Sequence, residues 1–179
     1  MCKPAYPLVD FRPQANWHWL FDQSRATLTL DMGNSAVDIS YKSSMLTYQF
    51  DKPVFFTIED VACYIDFFED PALDAYSPAF RCKLILHILA VRLFHKPIMP
   101  KNWLFDSHPG KPYQSARGDH VILISSAVKQ AKTYFVLDNS DDFLLCMLVE
   151  KSHALTPCRT FNQFQIVKVA HDKIAAKKS

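Results

Sequence analysis

Along the first part of the chain apolar and polar residues alternate one by one, and further on they recur at helical spacing. Leu28, Leu30 and Met32 alternate with Thr27, Thr29 and Asp31, the pattern of a half-buried strand. Three short strands are predicted, Trp17–Phe21, Thr27–Met32 and Ala36–Tyr41, separated by polar turns at Asp22–Arg25 and Gly33–Asn34. Strands joined by turns this short form a meander. Trp17 and Trp19 alternate with His18, so both indoles fall on one face, predicted to be a core wall rather than a platform for stacked bases.

Two helices are predicted next, each with a start signal. Thr57 is a candidate N-cap with Glu59 and Asp60 in the first turn, where acidic side chains favour the positive helix end. Ile58, Val61, Ala62, Ile65 and Phe68 then recur at helical spacing and are expected to face the core, with an acidic outer face. Ser77 followed by Pro78 places a cap and a first-turn proline at the start of the second helix, which is expected to end near Lys96 because Pro97 cannot continue it. From Leu84 to Val91 only His87 interrupts the apolar run, so this helix is expected to be covered on several sides. Its polar residues Arg81, Arg92, His95 and Lys96 cluster at the ends, leaving a basic, exposed C-terminal end.

Beyond residue 101 the pattern is all β. Val121–Ser125, Tyr134–Asp138, Phe143–Val149 and Phe164–Val169 read as strands, Thr156–Gln163 as a loop and Lys173–Ser179 as a frayed basic tail. Four strands with no helix between them predict a small barrel or strongly twisted sheet, since edges must be closed or blunted. The fold class expected is α+β: an N-terminal α/β domain over residues 1–100, then a small twisted C-terminal β-barrel over 101–179.

Composition narrows the function classes. The 179 residues include only three glycines, Gly33, Gly110 and Gly118, so neither a Walker loop nor a dinucleotide fingerprint is possible. Five cysteines without a C-x-x-C pair signal neither a disulfide framework nor a zinc ribbon, and reduced thiols in a cytosol are expected. The N-terminus lacks the apolar core of a signal peptide, and the greasiest run, Leu84–Phe94, is far shorter than the 18 or more residues that span a bilayer. Residues 1–100 carry nine basic and eleven acidic groups, net −2, whereas 101–179 carry eleven and seven, net +4.

Candidate chemistry is sparse. Cys82 and His87 are five apart on a helix and do not share a face as metal ligands would, so both are read as core. His108 and His120 are read as solvated loop histidines, Cys146 as a buried small hydrophobe, and Asp66, Glu69, Asp70 and Asp74 as a solvated helix face. No metal or cofactor is implied. The run Lys96-Pro97-Ile98-Met99-Pro100-Lys101-Asn102-Trp103 stands out, because two prolines hold it extended and present Lys96 and Lys101 from a stiff strap. It reads either as a linker with solvated lysines or as a basic protrusion suited to an acidic protein partner.

Asn16-Trp17-His18-Trp19, Leu30-Asp31-Met32-Gly33-Asn34 and Met45-Leu46, with the stretch from Lys83 through Arg92 into Lys96–Trp103, resemble the ZapC family of bacterial cell-division proteins that associate with FtsZ. Ser107-His108 and Gly118-Asp119 extend the match, which covers roughly 16–119; beyond 120 it is one of pattern and assigns no site residue. The resemblance implies a two-domain, non-enzymatic cytoplasmic protein at the mid-cell division site, without membrane insertion, that binds FtsZ and promotes lateral association and stability of its polymers. It favours a monomer with two contact surfaces, and Lys96, Lys101 and Arg92 are the expected FtsZ-binding residues. The alternative is a nucleic-acid-binding module using the basic β half, against which +4 is weak and no RNP-like aromatic-basic string occurs.

Overall fold

The computed structural model describes residues 11–110 and 113–178; most of the N-terminal segment read above as lacking a signal-peptide core lies outside the described residues. The chain gathers into two compact units that divide between Lys96 and Pro97.

In the first unit β1 (His18–Asp22), β2 (Thr27–Asp31) and β3 (Ala36–Ser40) form the expected meander, and a short β4 (Val54–Phe55) pairs with β1 to complete an antiparallel sheet of order β3-β2-β1-β4. Register puts Trp19 opposite Leu30 and Leu30 opposite Val37, so one face collects the buried side chains. Asp22 shapes the first turn by accepting from the Ser24 and Arg25 amides at 2.9 and 3.2 Å. Gly33 shapes the second at φ 84°, where a Cβ would lie 2.9 Å from the Asn16 side chain.

Two helices cover the buried face. In α1 (Ile58–Phe68) the Thr57 hydroxyl accepts from the Asp60 amide while the Asp60 carboxylate accepts from the Thr57 amide, a capping box. In α2 (Pro78–Phe94) the Ser77 hydroxyl accepts from the Phe80 amide, and eight residues from Cys82 to Phe94 are buried. Trp17 packs edge-on against Tyr64 of α1 at 5.8 Å and Trp19 against Phe94 of α2 at 5.6 Å. The indoles are the core wall.

One expectation fails. α1 buries Asp60, Cys63, Tyr64 and Phe67, and leaves Ile58 84% and Ile65 41% exposed, with Ala62 exposed as well. Both sets have helical spacing, and the Tyr64/Phe67 side is the one that meets the indoles, with Tyr64 edge-on against Trp17. Asp60 is tolerated there because its carboxylate serves the cap.

The second unit contains seven strands where four were expected: β5 (His120–Ile124), β6 (Ala131–Asn139), β7 (Phe143–Leu148), β8 (Ser152–Thr156), β9 (Arg159–Asn162), β10 (Ile166–Ala170) and β11 (Ile174–Lys178). β8 and β9 form a separate hairpin across the segment read as a loop. The supposed frayed tail is β11, anchored by fully buried Ile174 and paired with β5 up to Lys178 opposite His120. Lysine-rich residues are poor strand formers, so only pairing to a neighbour makes this a strand.

No closed barrel is found among the described residues: the five-stranded sheet runs β10-β7-β6-β5-β11 and stays open at β10 and β11. It is nevertheless strongly coiled. A flat sheet would set its two edge strands about 19 Å apart, yet only His171–Lys173 joins β10 to β11, and four Cα steps reach at most about 14 Å. Bulges near Val136 and Ile174 add the curvature. The core holds Val121, Leu123, Val136, Leu144, Leu148, Val167 and Val169, roofed by Leu155 and Phe161 of the hairpin.

Candidate functional site

Arg92 lies in the last turn of α2, but its Nη1 donates to the Cys63 thiol of α1 at 3.0 Å, so the guanidinium is turned toward the helix pair. The helix stops at His95, which is extended. His95 bridges to Leu46, and the Lys96 amide donates to the Met45 carbonyl at 2.8 Å. The backbone under Lys96 is therefore fixed while its side chain is exposed.

In the second unit the strap lies along the free edge of β10, which it blunts. Pro100 bridges to Lys168, the Lys101 amide donates to the Lys168 carbonyl at 2.8 Å, and the Asn102 side-chain carbonyl accepts from the Ala170 amide at 2.7 Å. Asn102–Leu104 then makes one 3-10 turn that buries Leu104, with Phe105 buried just beyond. Met99 and Trp103, the residues two before and two after Lys101, stay 79% and 69% exposed.

The Lys101 ammonium sits 5.8 Å from the centre of the Phe161 ring, and the Arg159 guanidinium sits 5.6 Å from the same centre. Partial burial, and then the Arg159 charge, hold the Lys101 ammonium below the usual lysine range. Arg159 belongs to the segment read as a loop, and no sequence signal joined it to the strap. Of the three expected binding residues, Arg92 and Lys96 belong to the first unit and Lys101 to the second.

The chain neutralises some of its cations and not others. Lys129, Lys132 and Lys177 pair with Asp106, Glu150 and Asp119 at 2.7, 2.8 and 2.7 Å, and Lys173 with Asp172 at 3.6 Å. No carboxylate lies within 4.0 Å of Lys96, Lys101 or Arg159 among the described residues.

The other titratable groups are built into packing. Burial pushes the Cys146 thiol up to about 12 and raises Cys82, so neither is a ready thiolate. Burial draws His87 down to about 4, with its Nδ1 2.7 Å from the Lys83 carbonyl. The fully buried His153 donates from Nε2 to the Gln130 carbonyl and accepts at Nδ1 from the Tyr134 hydroxyl, both at 2.8 Å, and burial depresses its pKa. His108 is not the solvated histidine expected: it is half-buried, with a buried Nε2 that finds no partner among the described residues. His120 packs edge-on against Phe135 at 5.2 Å. Asp70 caps the turn at Pro71–Leu73 and Asp74 pairs with Arg81 at 3.1 Å, so these two carboxylates are structural. Among the described residues no group of three or more His, Cys, Asp or Glu could hold a metal, and no helix is long and apolar enough to cross a membrane.

Comparison with known proteins divides the chain at the same place. Residues 10–96 match the family model for the N-terminal domain of the cell-division protein ZapC, and residues 97–179 match the model for its C-terminal domain. The chain belongs to the ZapC family of cell-division proteins. It is 62% identical over 179 residues to the cell division protein ZapC of Psychromonas ingrahamii, covering 100% of this chain and 95% of that one. The ZapC of Musicola paradisiaca is 28% identical, with 90% and 87% covered, and that of Vibrio cholerae 27%, with 92% and 91%. Lys96 closes the N-terminal ZapC domain, and Lys101 and Arg159 lie in the C-terminal one.

Proposed function

We propose that this chain is a non-enzymatic division factor that binds FtsZ in the cytoplasm at mid-cell and promotes bundling and stabilisation of its polymers. The observation that carries the reading is the set of cations without counter-ions at the strap, on a member of a cell-division family. FtsZ filaments are acidic and repel one another, so a small protein that contacts two of them supplies attraction while shielding charge. As a monomer it would use one surface on each domain. Lys96 and Lys101 make the main contacts, with Arg92 weaker because its guanidinium is engaged with Cys63.

Co-sedimentation with polymerised FtsZ tests this directly. Lys96→Asp and Lys101→Asp should each pellet far less than the parent while keeping its circular dichroism and thermal midpoint, since surface substitutions usually stay within about 0.5 kcal/mol. Binding should weaken as salt brings the Debye length below about 10 Å. Variants that fold normally and pellet like the parent would make the strap a linker only.

A further inference from the structure

α1 has two apolar faces, and the core of the first unit uses only one of them. Cys63, Tyr64 and Phe67 are buried, while Ile58, Val61, Ala62, Ile65 and Phe68 recur at helical spacing on the other side. At 3.6 residues per turn Ile58, Ala62 and Ile65 fall within roughly 60° of one another, on the side away from Tyr64 and Phe67. All three are exposed, Ile58 at 84% and Ile65 at 41%. A helix that is apolar on both faces is normally covered on both. The border of this second face is acidic. Glu59, Asp66 and Glu69 are exposed, and from Ile58 to Tyr76 the chain has no Lys, Arg or His. No cation lies within 4.0 Å of these three carboxylates among the described residues, whereas Asp60 and Asp70 serve caps and Asp74 pairs with Arg81. One cation of the chain already reaches this helix: the Arg81 guanidinium sits 5.4 Å from the centre of the Phe68 ring.

From this geometry we infer that the Ile58/Ala62/Ile65 face of α1, bordered by Glu59, Asp66 and Glu69, is a docking surface for a cationic amphipathic helix of a protein partner distinct from FtsZ. Charge selects this occupant. A second copy would set the same three carboxylates against one another, and an acidic filament, a nucleic acid or an anionic membrane would meet them with like charge. Lysines or arginines beside an apolar stripe would neutralise the border and bury the isoleucines together. A helix fits where a strand does not, because the backbone of α1 is hydrogen-bonded within itself and offers no edge. Ala62 between Ile58 and Ile65 leaves a shallow gap into which a ridge of a second helix can seat. The surface does not rest on the FtsZ reading, whose partner is acidic.

The test uses the full chain as parent, the double variant Ile58→Ser/Ile65→Ser, the double variant Asp66→Lys/Glu69→Lys, and Val128→Ser, an exposed apolar position of the second unit. Each is checked by circular dichroism and titrated, by fluorescence anisotropy, into a labelled helical Leu/Lys peptide and into its Leu/Glu counterpart. The parent should bind the Leu/Lys peptide saturably and the Leu/Glu peptide at least tenfold more weakly. Ile58→Ser/Ile65→Ser should weaken Leu/Lys binding at least tenfold and Val128→Ser less than twofold. Asp66→Lys/Glu69→Lys should reverse the preference between the two peptides. No parental binding to the Leu/Lys peptide, equal binding to both peptides, or parent-like binding by a normally folded Ile58→Ser/Ile65→Ser would overturn the surface. A parental dimer in sedimentation that dissociates in this serine variant would assign the face to a second copy and overturn it as well. Co-sedimentation of the serine variant with FtsZ should equal the parent's, and a loss would move the FtsZ contact onto α1 and remove the separate partner. A parent that binds the Leu/Lys peptide but does not pellet with FtsZ would keep the surface and remove the FtsZ reading.

Discussion

The two units are both built on antiparallel sheets, yet their cores are made of different material. The first lays two helices over a layer of rings, Trp17, Trp19, Phe56, Tyr64 and Phe94, in mutual edge and stacked contact. The second coils one sheet around Val, Leu and Ile side chains with Phe105, Tyr134 and Phe161 among them, and buries a polar triad in which Tyr134 and His153 are linked to the Gln130 backbone carbonyl. In the first unit the rings of Trp17, Trp19 and Tyr64 pack with a bed of buried leucines and isoleucines, so truncating one ring leaves a large hole. The second unit adds another kind of vulnerable point, the hydrogen bonds of the triad, which lose their partners without access to water.

Trp19→Ala should show this difference most strongly. Removing a fully buried indole that touches both Phe56 and Phe94 should cost about 3–5 kcal/mol by denaturant unfolding. A loss below about 1.5 kcal/mol would mean that the aromatic layer is not what holds the first unit.

Acid comes next. A histidine whose native pKa is depressed is protonated first in the unfolded chain, so its contribution is intact above pH ~6.5 and is lost as pH falls. With His87 drawn down to about 4, stability should decline between pH ~6.5 and about 4, by on the order of 2 kcal/mol at the lower end. The lowered carboxylates Asp119 and Glu150 add losses only further into acid. Unfolding at pH 7, 5.5 and 4 should give a flatter profile for His87→Gln, and an unchanged slope would exclude His87 as its source.

Tyr134→Phe keeps the ring but strips the donor from the buried His153 Nδ1, and should cost about 1.5 kcal/mol. A thermal midpoint equal to the parent's would show that the triad is not under strict hydrogen-bond control. At α1, Thr57→Ala removes the hydroxyl of the capping box and should cost about 1 kcal/mol. The smallest effect belongs to Ile58→Ser, within about 0.5 kcal/mol, because this isoleucine faces solvent. A core-sized loss there would restore the helix face expected from spacing alone.

What the sequence determined by itself is local. The meander, the Thr57 and Ser77 caps, the stop before Pro97 and the buried run of α2 each depend on residues a few positions apart, whose sterics and hydrogen bonds act whatever surrounds them. The strap, too, was legible, since proline restricts its own φ and its neighbour's. Tertiary structure decided the rest. It chose the Tyr64/Phe67 face of α1 over the equally spaced face of Ile58, Ala62 and Ile65, because Tyr64 packs edge-on against the Trp17 indole. It made strands of Arg159–Asn162 and Ile174–Lys178, segments too short or too lysine-rich to signal a strand until a neighbour offers a ladder, and left the coiled sheet unclosed. It also set Arg159 beside Lys101 at one ring, a juxtaposition made by the hairpin folding onto the sheet, which no pattern along the chain encodes.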